Sequence, residues 1–193
     1  MVKFKNKSRI DGTTFECRLQ CTQCTGRTRA GARCRRRVCI GTTRCFTHRR
    51  TQDALVVKKS LIPNAGRGVF TTRRIPRGQT IGYYHGDVID GTEVDERYGI
   101  DPRSNAPYTI SASRTRHPSG NRNVDSACVR SVLSMANSKR RRADCNAEVK
   151  DYINREGRMR MVSIKTIPAG SEIYVYYGAG FFTTMNNSIH TTK

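Results

Sequence analysis

Acidic side chains are scarce: 15 Asp and Glu face 36 Lys and Arg, a formal charge of +21 on 193 residues. A field this positive favours polyanions such as DNA or RNA. It also repels a basic substrate at long range unless an acidic surface intervenes. Long apolar runs are missing as well; none approaches the roughly 20 residues that cross a bilayer, so no membrane partner is expected. Lys3, Lys5, Lys7 and Arg9 are not followed by the apolar stretch of a signal peptide. Together these absences predict a soluble, intracellular protein that is not secreted. No long amphipathic helix can be traced either, which turns attention to strands.

The length suits one ordinary domain plus a small module. Charge is unevenly spread: residues 1 to 60 carry 16 Lys+Arg against 3 Asp+Glu, an excess of +13, and residues 61 to 193 carry 20 against 12, an excess of +8. Six of the eight cysteines also lie in the first part, from Cys17 to Cys45. Without a secretion signal, clustered thiols are expected to be reduced and metal-bound rather than cross-linked. Cys24, Cys34 and Cys45-Phe-Thr-His48 supply three thiolates and an imidazole, a donor set that suits tetrahedral Zn2+. Cys17, Cys21 and Cys39 could form a second site, replace a member of the first, or be spectators. Cys128 and Cys145 read as buried small apolar side chains. Arg33, Arg35, Arg36 and Arg37 lie between the proposed ligands, so metal-driven folding would gather them into a basic surface suited to phosphate contacts.

From Leu55 the texture changes to short β-prone runs between Gly- and Pro-rich turns: Leu55–Val57, Val69–Thr72, Ile81–Val88, Tyr108–Ser111, Met159–Ser163 and Ile173–Tyr177. This pattern predicts a mainly β fold of small sheets. The organisation expected is a basic tail at 1–16, a Cys/His zinc-binding module at 17–50, a catalytic body at 51–182 and a polar tail at 183–193.

Three separated segments of that body carry a resemblance: Gly66-Arg67-Gly68, Met135-Ala136-Asn137-Ser138 and Tyr174-Val175-Tyr176-Tyr177-Gly178. In this order they resemble the SET domain of protein lysine methyltransferases, and the likeness extends over about residues 55 to 182. Tyr84-His85-Gly86-Asp87 is similar to another signature strand, with Asp where the family usually has Glu. Val124-Asp125-Ser126 and then Met135–Ser138 match the approach to the family's Asn-His motif, and Cys145-Asn146-Ala147 fits the partner segment that threads beside it, in a fold whose C-terminal segment is knot-like. The compact SET proteins of large DNA viruses, including those infecting chlorella, look similar, and a short Cys/His module precedes the SET domain in such proteins.

The resemblance implies S-adenosylmethionine as cofactor, Zn2+ in the module, and transfer of methyl to a lysine of a histone or other chromatin protein. It implies cofactor contacts from Gly66, Arg67 and Gly68, where a Cβ would obstruct the approach of the backbone. Asn137 and Ser138 would hold the adenosine and amino-acid parts, although the family has histidine where this chain has Ser138. Tyr177 would be the catalytic tyrosine of a narrow lysine channel, with Tyr108 and Tyr84 as further walls. Val175 stands where the family commonly has Phe or Tyr and where the number of methyl groups is set, which points toward higher methylation states. Many relatives close the cofactor site with a cysteine–zinc segment, but this chain has no cysteine after Cys145. Phe181 and Phe182 are candidates to stack on the adenine in its place. The basic run Lys139–Arg142 could hold DNA or nucleosome beside the site, and a homodimer is possible. Host nucleus or virus particle is the expected location. The competing reading is a zinc-dependent nucleic-acid or chromatin-binding protein whose SET body has lost catalysis, and Ser138 is the residue that favours it.

Overall fold

The computed structural model describes residues 2–7, 14–19, 22–38, 43–99, 106, 108–128 and 131–178. Twelve short strands and little helix make up these residues, in agreement with a mainly β fold. β1 (Val2–Lys7) and β2 (Thr14–Leu19) pair antiparallel. The segment read as a basic tail thus contains a strand, and its sequence signal is the alternation of Val2, Phe4 and Asn6 with Lys3, Lys5 and Lys7.

β3 (Thr22–Gln23) pairs with β4 (Arg37–Val38) across the first two proposed ligands. The short helix α1 (Phe46–His48) continues as a wide helical turn to Asp53, and Ala54 ends it with a φ of 55°. The chain then enters the hairpin of β5 (Leu55–Lys59) and β6 (Arg67–Thr71).

β7 (Thr80–His85) and β8 (Asp87–Ile89) occupy the stretch that reads in sequence as one strand. The break falls at Gly86, where a Cβ would stand 2.0 Å from the Asp125 carbonyl oxygen. No side chain but glycine's fits so close a crossing. The helix α2 (Gly91–Tyr98) begins with Asp90 accepting from Glu93 N at 2.8 Å, a side-chain cap. β9 (Thr109–Ser111) and β10 (Asn123–Asp125) join β8 in a sheet ordered β8-β10-β9. β11 (Ala147–Ile153) and β12 (Arg158–Ser163) form another with β7, ordered β11-β12-β7. β12 shows the half-buried alternation directly: Met159 and Met161 are buried, while Arg158 and Arg160 are exposed.

Two apolar clusters hold the body. The larger gathers Leu55, Val69, Leu133, Met161, Ile167 and Val175, and the smaller Tyr84, Val124, Ile153 and Met159. The run Ile173–Tyr177, read as a strand, forms isolated bridges instead of a ladder. Tyr174 bridges Asn137 in parallel, and Val175 bridges Ala147. Val175 N donates to Asn137 O at 2.9 Å, while Asn146 N and Ala147 N donate to Tyr174 O at 3.1 and 3.0 Å. The segment is therefore gripped from both sides, with its backbone groups paired by whatever strand lies next to each.

Candidate functional site

Glu172 is the centre of the region where the three motif segments meet. It is only 2% exposed, and its carboxylate accepts four hydrogen bonds: Ser60 Oγ at 2.7 Å, Leu61 N at 2.7 Å, Asn137 Nδ2 at 3.1 Å and Tyr174 OH at 2.9 Å. Burial alone would raise its pKa, but these donors outweigh it and hold the acid below its usual range. Sequence reasoning gave Glu172 no role. An acid set against Ile173 in an otherwise apolar run was the available signal.

The glycine loop is shaped by this carboxylate. A Cβ on Gly68 would lie 2.0 Å from Glu172 Oε1 and 3.1 Å from Asn137 Nδ2. The position is thus filled from within the protein. Gly66 is different: its φ is +71° and nothing lies within 4 Å of the place a Cβ would take, so the open space beside the loop is at Gly66. Arg67 presents its carbonyl to Asn137 Nδ2 at 3.0 Å, and its side chain is exposed. Asn137 thus spends its amide on the loop and on Glu172, and its backbone carbonyl on Val175. Ser138, at the expected histidine position, donates through Oγ to Lys139 O at 3.1 Å and accepts from Tyr177 N at 3.1 Å. The hydroxyl fastens the backbone of the tyrosine that follows the threaded segment.

The structure brings Tyr84, Tyr108 and Tyr177 together. Tyr84 is buried and its hydroxyl donates to Tyr108 O, while the Tyr177 hydroxyl donates to Ala136 O. Burial, with Tyr177 and Asp125 nearby, pushes the Tyr84 pKa well above 10. Burial of the hydroxyl end and the neighbouring Tyr108 push Tyr177 up to about 12, although the residue as a whole is 39% exposed. Both phenols are therefore neutral across the physiological range. Val175 packs in the larger core cluster. Phe181 and Phe182 lie outside the described residues.

A second buried acid supports the tyrosines. Asp125, fully buried, accepts from Tyr98 OH at 2.9 Å, Arg97 Nη1 at 2.8 Å and Ala127 N at 2.9 Å. Arg97 also pairs with Asp87 at 3.1 Å and Glu93 at 2.6 Å. The next residue, Ser126, donates through N to Tyr108 O and through Oγ to His85 O. Helix α2 thereby fixes the segment that carries Tyr84 and Tyr108. In sequence, Asp125 had no chemical role beyond its place ahead of the Asn137 motif, and Arg97 did not stand out.

In the module, Cys24, Cys34, Cys45 and His48 converge, with their donor atoms all within 4.8 Å of one another. Gly26 N and Cys45 N donate to Cys24 Sγ at 3.3 and 3.2 Å, as amides do to a thiolate. His48 Nε2 donates to Arg27 O at 2.7 Å, which leaves Nδ1 as the lone-pair atom, 3.5 Å from Cys24 Sγ and 3.4 Å from Cys45 Sγ. Fixing one ring nitrogen on a carbonyl is how a ligating histidine is oriented. Burial opposes ionisation of Cys45, yet bonds from the His48 backbone and ring bring it down to about 6. Three thiols and an oriented imidazole at this spacing fit a tetrahedral zinc ion. Cys21 and Cys39 lie outside the described residues, and for Cys17 the backbone strand alone is described. Cys145 and Cys128 are both buried, as expected; Cys145 is a free thiol and Cys128 is disulfide-bonded.

The family model of the SET domain matches residues 66–178, more than half of the chain. The chain belongs to the SET-domain family. Among solved structures, Chaetomium thermophilum polycomb repressive complex 2 is similar at 26% identity and a TM-score of 0.52, over 65% of this chain and 15% of that one. The same complex bound to S-adenosylmethionine in an autoinhibited conformation matches at 21% identity and 0.53, over 88% and 25%. The Neurospora SET domain protein DIM-5, a histone lysine methyltransferase, matches at 21% and 0.51, over 64% and 52%. At 21% identity the likeness is one of fold. This chain spans well under two thirds of each of these chains. No curated protein matches it.

Proposed function

We propose that this SET-domain chain transfers methyl from S-adenosylmethionine to a lysine of a histone or another chromatin protein. The observation that carries the reading is the pair of tyrosine hydroxyls, Tyr84 bonded to Tyr108 O and Tyr177 bonded to Ala136 O, the latter next to Asn137 of the glycine-loop cluster. The likeness in fold to a histone lysine methyltransferase and to a complex bound to S-adenosylmethionine supports it.

The open space at Gly66 and the positive φ of Gly178, with nothing within 4 Å of either, fit a cofactor lying along the glycine loop and the final tyrosine. S-adenosylmethionine, when bound, supplies a methyl group made electrophilic by its sulfonium. The protein's task is to deliver a neutral amine. A lysine in water has a pKa near ~10.4 and is mostly charged, and burial between tyrosine rings lowers it by desolvation. Because Tyr84 and Tyr177 give their protons to carbonyls, their oxygen lone pairs accept from the amine N–H groups and turn the nitrogen lone pair toward the methyl carbon. Ring faces favour the methylated ammonium product.

Zinc held by Cys24, Cys34, Cys45 and His48 would stabilise the module and present its exposed arginines 27, 29, 33, 35, 36 and 37 to nucleic-acid phosphates. Such contact would bring a cationic enzyme to cationic histone tails. Nuclear or virion location and a homodimer belong to the same reading. The test is a histone panel with labelled cofactor, comparing wild type with Tyr177→Phe. Equal product from both would refute the channel assignment, and no product from the wild type on any protein would favour a binding role.

A further inference from the structure

A cavity of about 290 Å³ lies on the face of β7 opposite Tyr84, where the module meets the SET body. Strand alternation explains the separation: Tyr84 packs into the smaller core cluster, while Ile81, Tyr83 and His85 line the cavity. The cavity is also remote from the glycine loop. Leu55, in its wall, pairs with Thr71, and Lys59 pairs with Arg67 four residues along the same ladder, a distance of about 13 Å at the strand rise.

Its lining has a consistent chemistry. Leu55, Ile81, Val132 and Leu133 make an apolar floor, and Arg49 and Arg73 supply two cations. Asp53 is the one acid in the lining, and Arg44 already pairs with it. Arg49 donates to Arg44 O at 3.3 Å and lies in the field of Asp53, but among the described residues neither Arg49 nor Arg73 makes an ion pair with a carboxylate. His85 stands in the wall with Nδ1–H donating to Tyr83 O at 3.3 Å, so its buried Nε2, without a partner among the described residues, can donate to an anion only after taking up a proton. Arg158 faces His85 across the β7–β12 ladder. Burial, with Arg158 and Arg49 nearby, depresses the imidazole pKa below its ordinary 6.5.

We propose that this cavity binds a small oxyanion, a carboxylate or phosphate carried on an apolar body, between Arg49, Arg73 and His85. Arginine forks suit both anions, and the floor matches an apolar body of modest size. The inference stands independently of methyl transfer, because none of these residues belongs to the tyrosine channel or the glycine loop.

The test is a titration of the zinc-loaded 193-residue chain with benzoate and, separately, phenyl phosphate at ionic strength fixed with chloride. The His85 ring signals are followed by NMR. A saturable change is expected with at least one probe, together with a rise in the His85 titration midpoint as the anion offsets Arg49, Arg73 and Arg158. Tighter saturation by phenyl phosphate marks a phosphate site, and by benzoate a carboxylate site. Arg49→Gln and Arg73→Gln should each weaken binding at least tenfold, the second variant serving should the first disturb the module joint. The proposal is overturned if neither probe exceeds the chloride control, or if both variants bind as the wild type does.

Discussion

Replacing Glu172 tests the architecture most directly. In Glu172→Ala, four donors lose their acceptor. Hydrogen bonds to a charged group contribute about 1.5–3 kcal/mol each, and a buried donor left unmade costs about 1–3 kcal/mol. Tyr174 is half-buried and can turn to water, and Asn137 keeps its bond to Arg67 O. The loss therefore concentrates on Ser60 and Leu61 N, and about 3–5 kcal/mol is expected from truncating so connected a group. Glu172→Gln is the sharper variant, because its amide is one acceptor and one donor. Oε1 now serves Ser60 and Asn137, and Oε2 serves Leu61 N and Tyr174. The two hydroxyls can reverse and accept. The Leu61 amide and the Asn137 NH2 cannot, so either orientation sets one N–H against another, at about 1–3 kcal/mol. Urea unfolding followed by circular dichroism measures both variants. The wild-type advantage over Gln has a set pH dependence. With a depressed folded pKa, the stabilisation is fully present above the ordinary 4.5 and disappears as pH falls through the lower folded value. A Gln variant within 0.5 kcal/mol of wild type near neutral pH, or a difference that persists unchanged into acid, would refute the reasoning.

Gly68→Ala should destabilise by about 1–3 kcal/mol, since its methyl must displace the Glu172 carboxylate; unfolding equal to wild type would show that the loop has room. Tyr177→Phe should lower kcat by about ten- to a hundredfold through lost positioning of the amine, with little change in cofactor affinity measured by calorimetry. In ultraviolet difference titration against that variant, the Tyr177 phenolate should form near pH 12, not 10. Between those values the unfolded chain has already lost the proton, so this contribution to stability falls as pH rises; a midpoint at 10 would mean an open hydroxyl. Purified protein should carry one zinc ion by plasma spectrometry, and Cys45→Ser or Gly26→Ala should lose it, the latter because a Cβ would lie 2.3 Å from His48 Cγ.

Much of this site could be read from sequence because it uses residues whose chemistry is tied to position. The Cys/His spacing named four side chains that do converge, and Tyr84, Tyr108 and Tyr177 meet although more than 90 residues separate the first from the last. The β texture was legible from alternation. What escaped was chemistry that depends on distant partners. Glu172 gains meaning only when Ser60, 112 residues away, closes on it. Gly68 was expected at the cofactor, and a second demand on it appears only in the fold: its missing side chain makes room for that same carboxylate. Asp125 and Arg97 are unremarkable in the chain and become one network only through the fold.

The gripped segment also bears on how the protein comes into being. Ser60 meets Glu172 over 112 residues, Arg67 meets Asn137 over 70, and Ser138 meets Tyr177 over 39. Loops of such length close slowly, and contacts of this range set folding rates more than local ones do. The first and last of these bonds form only once residues 172–177 lie between their neighbouring segments. During synthesis, a chain emerging from the ribosome can build its hairpins early, yet its tyrosine pocket is finished last. A half-folded chain therefore has no assembled tyrosine cluster, and the Tyr177 N to Ser138 bond reports that the body has closed.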